Sequence, residues 1–178
     1  MTDQEDESLV RQCVGGDRRA FEALVQKYQK PMFNTALRII NDYEDAADVT
    51  QAAFVKAYER LKQFDRRYRF YSWLYRITVN ESLTFVNGRQ RFERLADGHV
   101  SPEKSPDELL SEDDTTRRVQ QALMSLRPEH RVVIVLSHFR ELSYREMSDV
   151  LGISEKKVKS RLYTARQELK TVLVKEGE

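Results

Sequence analysis

Basic and hydroxylated side chains crowd one short stretch near the end of the chain, where they could hydrogen-bond to nucleic acid. These side chains are Lys156, Lys157, Lys159, Ser160, Arg161, Tyr163, Thr164 and Arg166. Val158, Leu162, Ala165 and Leu169 recur among them at helical spacing, so one edge of a helix packs inward. The remaining faces then carry donors of the kind that reaches base edges and phosphates in the major groove of DNA. This pattern predicts a recognition helix for duplex DNA.

A preceding helix and a glycine corner must hold that recognition helix in place. Ser143 and Glu146 have the spacing of a capping box, which would start the preceding helix. The corner falls at Leu151-Gly152-Ile153, and Ser154 can cap the helix that follows. This order predicts a helix-turn-helix. The ordinary alternative is a helical hairpin whose charged face is merely solvated.

A second candidate site lies in the middle of the chain, where aromatic rings are interleaved with arginines; we call residues 64–80 the aromatic–arginine block. Its rings are Phe64, Tyr68, Phe70, Tyr71, Trp73 and Tyr75, and its arginines are Arg66, Arg67, Arg69 and Arg76. In a helix that begins near Phe70, Trp73 faces the core, while Tyr71 and Tyr75 lie roughly on the opposite side. Exposed rings beside guanidinium groups suit single-stranded DNA, because each stacked base contributes about 1–3 kcal/mol, comparable to the few kcal/mol needed to extract a base from a duplex. A tyrosine-rich core with solvated arginines fits the same residues.

Almost every segment has the periodicity of an α-helix, and none alternates long enough to predict a strand. Asp17 and Asp45 are N-cap candidates for two of these helices, and Pro31 is expected to kink or divide the first of them. The helix that begins at Phe70 is expected to stop near Asn87-Gly88, a typical C-cap pair. The sequence therefore predicts an all-α protein.

Charge is strongly segregated along the chain, although the formal net charge is only +1. Residues 66–94 and residues 117–178 each have a net charge of +5, whereas residues 95–116 between them have a net charge of −6. Two basic blocks separated by an acidic one indicate two places that touch nucleic acid.

We expect two small helical domains, residues 5–94 and 115–176, on either side of a flexible acidic linker, residues 95–114. Apolar periodicity disappears in this linker, which contains Pro102 and Pro106. Fully extended, the roughly 22 residues between the two basic blocks span at most about 75 Å, and that length covers about twenty base pairs of duplex. Two DNA elements that far apart, one read as duplex and one held open, describe a bacterial promoter.

Several classes of protein are not expected from this sequence. An apolar run of about eighteen residues is missing, so direct membrane insertion is not predicted, and the acidic first residues are unlike a secretory signal. Cys13 is the single cysteine, and the three histidines have no metal-like spacing, so no disulfide, metal or cofactor is predicted. A cytoplasmic location is the default expectation.

Taken together, these features make the chain resemble the extracytoplasmic-function (ECF) group of bacterial sigma factors over nearly its whole length. The resemblance is carried by three stretches in the same order as in that group. They are Asp48-Val49-Thr50-Gln51-Ala52-Ala53-Phe54, then residues 70–80 (FYSWLYRITVN), then Leu142-Ser143-Tyr144-Arg145-Glu146-Met147 continuing through Gly152-Ile153-Ser154 to residues 158–166.

The resemblance implies a factor that binds core RNA polymerase, directs it to promoter DNA and catalyses nothing itself. It implies polymerase binding by Asp48, Gln51 and Phe54. It implies −35 reading by the basic and hydroxylated residues of the recognition helix named above. For capture of the −10 element, it implies Phe64, Arg66, Arg67, Tyr68, Arg69, Tyr71, Trp73, Tyr75, Arg76 and Asn80. Similar proteins are commonly held inactive by an anti-sigma factor, often one in the membrane.

The chain departs from the family pattern at a few positions. Ala52 stands where an acid is usual, which removes or moves one polymerase contact, and Lys156-Lys157 replaces small residues, so the recognised sequence stays open. A polymerase-independent helix-turn-helix regulator is the alternative, but it leaves the aromatic–arginine block without a role. A nucleic-acid-processing enzyme is a more distant alternative, because no nucleophile–base set appears.

Overall fold

The computed structural model describes residues 3–95 and 114–175 of the chain, and over these ranges it is helical, with short turns and no strand. The all-α prediction is therefore confirmed. The predicted linker lies almost entirely outside the described residues. The helices are α1 (Asp3–Val14), α2 (Arg18–Ile40), α3 (Tyr43–Arg60), a 3-10 turn (Leu61–Gln63), α4 (Phe70–Leu95), α5 (Asp114–Met124), α6 (Pro128–Ile134), a π-helical turn (Val135–Phe139), α7 (Tyr144–Leu151) and α8 (Glu155–Lys175).

Helices α1 to α4 form the N-terminal unit, in which α2, α3 and α4 pack against one another. Their apolar stripes meet in a core that includes Leu24, Met32, Ile39, Leu74 and Val79, all nearly or fully inaccessible to solvent. Burial of these side chains is the main source of stability for such small helical units.

α1 is fixed to this unit by a buried acid as well as by apolar packing. The Asp6 carboxylate accepts hydrogen bonds from the Lys27 ammonium and the Tyr28 hydroxyl of α2. A buried carboxylate is tolerated only when it is paired in this way. α1 begins earlier than its apolar residues alone suggest, because its acidic first turn suits the positive end of the helix dipole.

Helices α5 to α8 form the C-terminal unit, with α6 and α7 both packed on α8. Leu123, Val132, Leu136, Met147 and Leu162 are buried in its core. The two units also pack on each other, chiefly through α4 against α7 and α6. Their buried apolar side chains form one continuous cluster.

Two predicted helix boundaries are wrong, and α2 is not divided at Pro31. It continues as one helix through that residue because buried residues on both sides, Tyr28 and Met32, hold it on the core, while a kink there stays a prediction. α4 passes through Gly88 and continues to Leu95. The N-cap of α3 is Asp42 rather than Asp45: the Asp42 carboxylate accepts a hydrogen bond from the Asp45 backbone N–H at 3.0 Å. Asp17 caps α2 as expected.

None of the helices in these two ranges is long and apolar enough to cross a membrane.

Candidate nucleic-acid interfaces

The helix-turn-helix predicted from the sequence is present, with its capping chemistry intact. The Ser143 hydroxyl accepts from the Glu146 backbone N–H at 3.3 Å, and the Ser143 backbone N–H donates to the Glu146 carboxylate at 2.9 Å. α7 ends at Gly152, whose φ of 64° lies in the left-handed region that favours glycine. The backbone of α8 then starts at a second cap, where the Ser154 hydroxyl accepts from the Lys157 N–H.

α8 has the two faces that the sequence predicts. Val158, Leu162 and Ala165 are buried against the rest of the C-terminal unit. The side chains predicted to touch DNA are exposed, apart from Arg161, which is half-buried: Lys156, Lys157, Lys159, Ser160, Tyr163, Thr164 and Arg166. A row of cations and hydroxyls on one rigid helix can contact phosphates and base edges together.

Two aromatic side chains extend this surface beyond the cations. The Lys159 ammonium lies 5.3 Å from the centre of the Tyr144 ring at the start of α7, within range of a cation–π contact. Tyr163, one turn further along α8, is 68 % exposed. Tyr144 was not singled out from the sequence, because its distance from α8 depends on the angle between the two helices.

The first half of the aromatic–arginine block is an arginine loop beside a small ring cluster. Arg66, Arg67, Tyr68 and Arg69 are exposed, with Tyr68 at 52 %. Side-chain and backbone hydrogen bonds from Arg67 lower the pKa of the Asp65 carboxyl and fix the turn.

A pocket of about 210 Å³ opens beside this loop. It is lined by Asp6, Glu7, Phe64, Arg66, Arg67, Tyr68, Arg69 and Phe70. The lining ring of Phe64 packs with two other rings, at 5.0 Å from that of Trp73 and 5.9 Å from that of Phe70, between ring centres. Trp73 is therefore a half-buried side chain that packs against other rings, as expected, and it does not offer a free face for stacking.

The second half of the block contradicts one expectation. Tyr75 is only 6 % exposed, so it is not a free ring on the opposite side of α4 from the core. The C-terminal unit covers this face, and burial raises the pKa of Tyr75 despite the nearby charge of Arg140. Arg76 and Asn80, further along α4, remain exposed.

Tyr71 is half-buried and contacts the helix-turn-helix. Its hydroxyl donates to the Glu146 carboxylate, and the Arg69 guanidinium donates to the same oxygen at 3.2 Å. Burial, followed by the hydrogen bond with Glu146, raises the pKa of Tyr71. The structure therefore brings Arg69 and Tyr71 together with a residue that sequence reasoning assigned only to a helix cap.

The three predicted polymerase-binding residues fall into two environments on α3. Asp48 and Gln51 are exposed, but Phe54 is 8 % exposed and packs edge-on against Phe21 of α2 at 6.5 Å. Phe54 is thus a core residue that supports the exposed face. Val55 is exposed on the same helix, and its helical spacing from Asp48 and Gln51 was an available signal that the sequence reasoning missed.

Two protein-family models match the chain, and together they cover both units. Sigma-70 region 2 matches residues 24–92, and Sigma-70, region 4 matches residues 116–169. The first of these ranges contains the aromatic–arginine block and the exposed face of α3. The second contains the helix-turn-helix.

Curated proteins are similar over almost the full length. The RNA polymerase sigma-H factor of Pseudomonas aeruginosa is 32 % identical across 97 % of this chain and 96 % of its own length. The ECF RNA polymerase sigma-E factor of Escherichia coli K12 is 30 % identical across 91 % of both chains. Among solved structures, CnrH in complex with the cytosolic domain of CnrY has a TM-score of 0.72 at 32 % identity, covering 95 % of this chain and 97 % of CnrH.

Proposed function

Because the chain belongs to the ECF group of bacterial sigma factors, which direct promoter-specific transcription, we propose how its two units divide that work. The first domain, residues 5–94, binds core RNA polymerase and captures the −10 element. The second, residues 115–176, reads the −35 element. Residues 95–114 connect them as an acidic linker.

The −35 element is read by α8. The observation that carries this assignment is a helix seated on its unit by a thin apolar edge, with seven exposed cationic or hydroxylated side chains between residues 156 and 166 on its other faces. Lys159 and Tyr163 lie at the centre of that surface and contact bases or phosphates. Ser160, Thr164 and Arg166 extend it along the groove.

The −10 element is captured at the arginine loop. Exposed Tyr68 offers a face for stacking, and Arg66, Arg67 and Arg69 offer donors for the phosphates of a single strand. The adjoining pocket is large enough to accept a nucleobase and has Phe64 in its wall. Asn80 is an exposed amide on α4 that hydrogen-bonds to an extruded base.

Core polymerase binds the exposed face of α3. Asp48 and Gln51 supply its polar contacts, Val55 adds an apolar one, and Phe54 holds the helix from behind. Because its partners are polymerase and promoter DNA, the chain works in the cytoplasm. It has no catalytic activity of its own.

An anti-sigma factor is a further expected partner. CnrH, 32 % identical over nearly the whole chain, was solved in complex with the cytosolic domain of CnrY. A partner of that kind would hold this factor inactive, at the membrane if the partner is anchored there.

In vitro transcription with core polymerase on a randomised promoter library tests the proposal. We expect product only when the factor is present, and product from templates that share two elements about twenty base pairs apart. Lys159→Ala should weaken selection at the upstream element, while Lys170→Ala, which removes an exposed lysine further along α8, should leave it unchanged. Binding to duplex DNA without any polymerase-dependent product would instead identify a conventional helix-turn-helix regulator.

A further inference from the structure

Tyr144 begins α7 and lies beside the DNA-facing side of α8, yet none of the functions proposed above uses it. It directly follows the Ser143 cap, and the capping box with Glu146 holds this end of α7 in place. Its side chain is 40 % exposed. Burial in the core therefore accounts for only part of its position, and the charged side chain beside it has to be considered.

That charged side chain is Lys159 of α8. Its ammonium lies 5.3 Å from the centre of the Tyr144 ring, inside the range of about 6 Å over which an aromatic ring attracts a cation. The two residues belong to different helices, and they meet because α7 and α8 pack on each other. Met147 and Val158 are among the buried side chains of these two helices.

The corner between α7 and α8 keeps the ring at this distance from the ammonium. Gly152 ends α7 with a φ of 64°, in the left-handed region that favours glycine. The Ser148 hydroxyl donates to the Ile153 carbonyl at 2.5 Å, and this hydrogen bond spans the corner. Because the corner is fixed in this way, the angle between the helices holds the Tyr144 ring next to Lys159.

Lysine is the kind of side chain that benefits from such a neighbour. It carries its charge on a flexible four-carbon chain, and it loses more side-chain entropy than most residues when it is held in one place. Lys159 is exposed, so its ammonium can otherwise sample many positions around α8. A ring that attracts the ammonium restricts those positions before DNA arrives, and this reduces the entropy that binding must remove.

We propose that Tyr144 is a positioning residue for DNA binding by α8, whose ring holds the Lys159 ammonium in place for the major groove. The ring acts through Lys159 and not through a contact of its own with DNA. An ammonium has three N–H donors, so the side that faces away from the ring can still donate to a base edge or a phosphate. This inference rests on the proposed −35 role of α8.

The contact between ring and ammonium is expected to persist in the complex with DNA. A duplex that covers α8 removes water from Lys159, and the attraction between a cation and an aromatic ring becomes stronger when the pair is desolvated. The ring therefore favours the bound state and does not compete with DNA for the ammonium. The sign of the effect follows: removal of the ring should weaken binding to promoter DNA.

Three variants separate this role from two others that the same position could have. Tyr144→Leu removes the ring, Tyr144→Phe keeps the ring without its hydroxyl, and Tyr144→Leu combined with Lys159→Ala shows whether the ring acts through the lysine. Tyr43→Leu is the matched control, because Tyr43 is also an exposed tyrosine, at 61 %, and is also the first residue of a helix.

The assay is promoter binding by the full-length factor reconstituted with core polymerase. The natural factor first selects one promoter duplex from a randomised library. Each variant is then titrated on that duplex at one salt concentration, once circular dichroism melting has shown that it folds and gel filtration that it binds core polymerase. If the natural factor selected no duplex, the −35 role would fail, and the positioning role with it, before any variant was compared.

An exposed cation–π contact corresponds to a factor of about two to five in affinity. We therefore expect Tyr144→Leu to bind the duplex about two- to fivefold more weakly than the natural factor. Tyr144→Phe and Tyr43→Leu should retain the natural affinity. In the Lys159→Ala background, Tyr144→Leu should cause no further loss, because the ring then has no cation to hold.

Four results would overturn the positioning role while leaving the −35 role of α8 intact. Natural affinity in Tyr144→Leu would show that the ring contributes nothing, and tighter binding would show that it competes with DNA for Lys159. A loss of the same size with and without Lys159 would mean that the ring only supports the fold. An equal loss in Tyr144→Phe would assign the effect to the hydroxyl.

Discussion

Replacing Arg131 by methionine should destabilise the protein severely, although it removes a buried charge. Methionine keeps an unbranched side chain of similar length in the same cavity, so the substitution mainly deletes the guanidinium. That guanidinium donates to four backbone carbonyls at the ends of α2 and α5. The stability of this variant therefore shows whether those hydrogen bonds outweigh the cost of burying the cation.

The magnitudes can be compared from the structure. Burial lowers the pKa of Arg131 from its ordinary value to about 10, which corresponds to about 3 kcal/mol of lost hydration. Four hydrogen bonds from a charged donor contribute about 1.5–3 kcal/mol each, or about 6–12 kcal/mol together. The hydrogen bonds therefore contribute more than the lost hydration costs. We expect the free energy of unfolding to fall by about 3 kcal/mol or more in Arg131→Met.

Urea unfolding at neutral pH, followed by circular dichroism, measures this loss. Arg127→Met is the control, since Arg127 is exposed and its side chain makes no cap, and it should change stability by less than about 0.5 kcal/mol. Arg131→Lys should lose most of the stability lost by Arg131→Met, because one ammonium cannot reach four separate acceptors. A loss below about 1 kcal/mol for methionine, or a lysine variant as stable as the natural chain, would refute the reasoning.

Three further outcomes are expected from exposed or titrating groups. Asn80→Ala should leave stability within about 0.5 kcal/mol, because the side chain is exposed, yet permanganate footprinting should show impaired opening at one base; an equal defect on a pre-melted template would contradict the role. Lys159→Ala should reduce the slope of log affinity for −35 duplex against log salt by about 0.9, and an unchanged slope would exclude a phosphate contact. Burial favours the neutral acid of Glu146, but hydrogen bonds from Tyr71 and Ser143 outweigh it and lower its pKa. Its stabilising contribution is therefore complete above the ordinary pKa of 4.5 and lost as pH falls through the lowered value, so circular dichroism melting should show a loss of stability in acid that is smaller in Glu146→Gln.

Local capping patterns were predictable from the sequence because each depends on residues a few positions apart. Ser143 with Glu146 and the left-handed Gly152 appear in the structure as the spacing indicated. Boundaries decided by tertiary packing were not predictable. Pro31 lies inside α2 and Gly88 inside α4 because the packing of their neighbours outweighs the weak local preference of each residue.

The recognition helix was also predictable, because one face of such a helix must be buried and the spacing of its apolar residues shows which face that is. The aromatic–arginine block was less so, because its rings outnumber the positions on one buried face. Which rings are exposed depends on the C-terminal unit, which lies far along the chain. Tyr75, for example, lies near Arg140 of that unit. Phe54 is buried against Phe21 of another helix, and its role in binding polymerase stays a prediction.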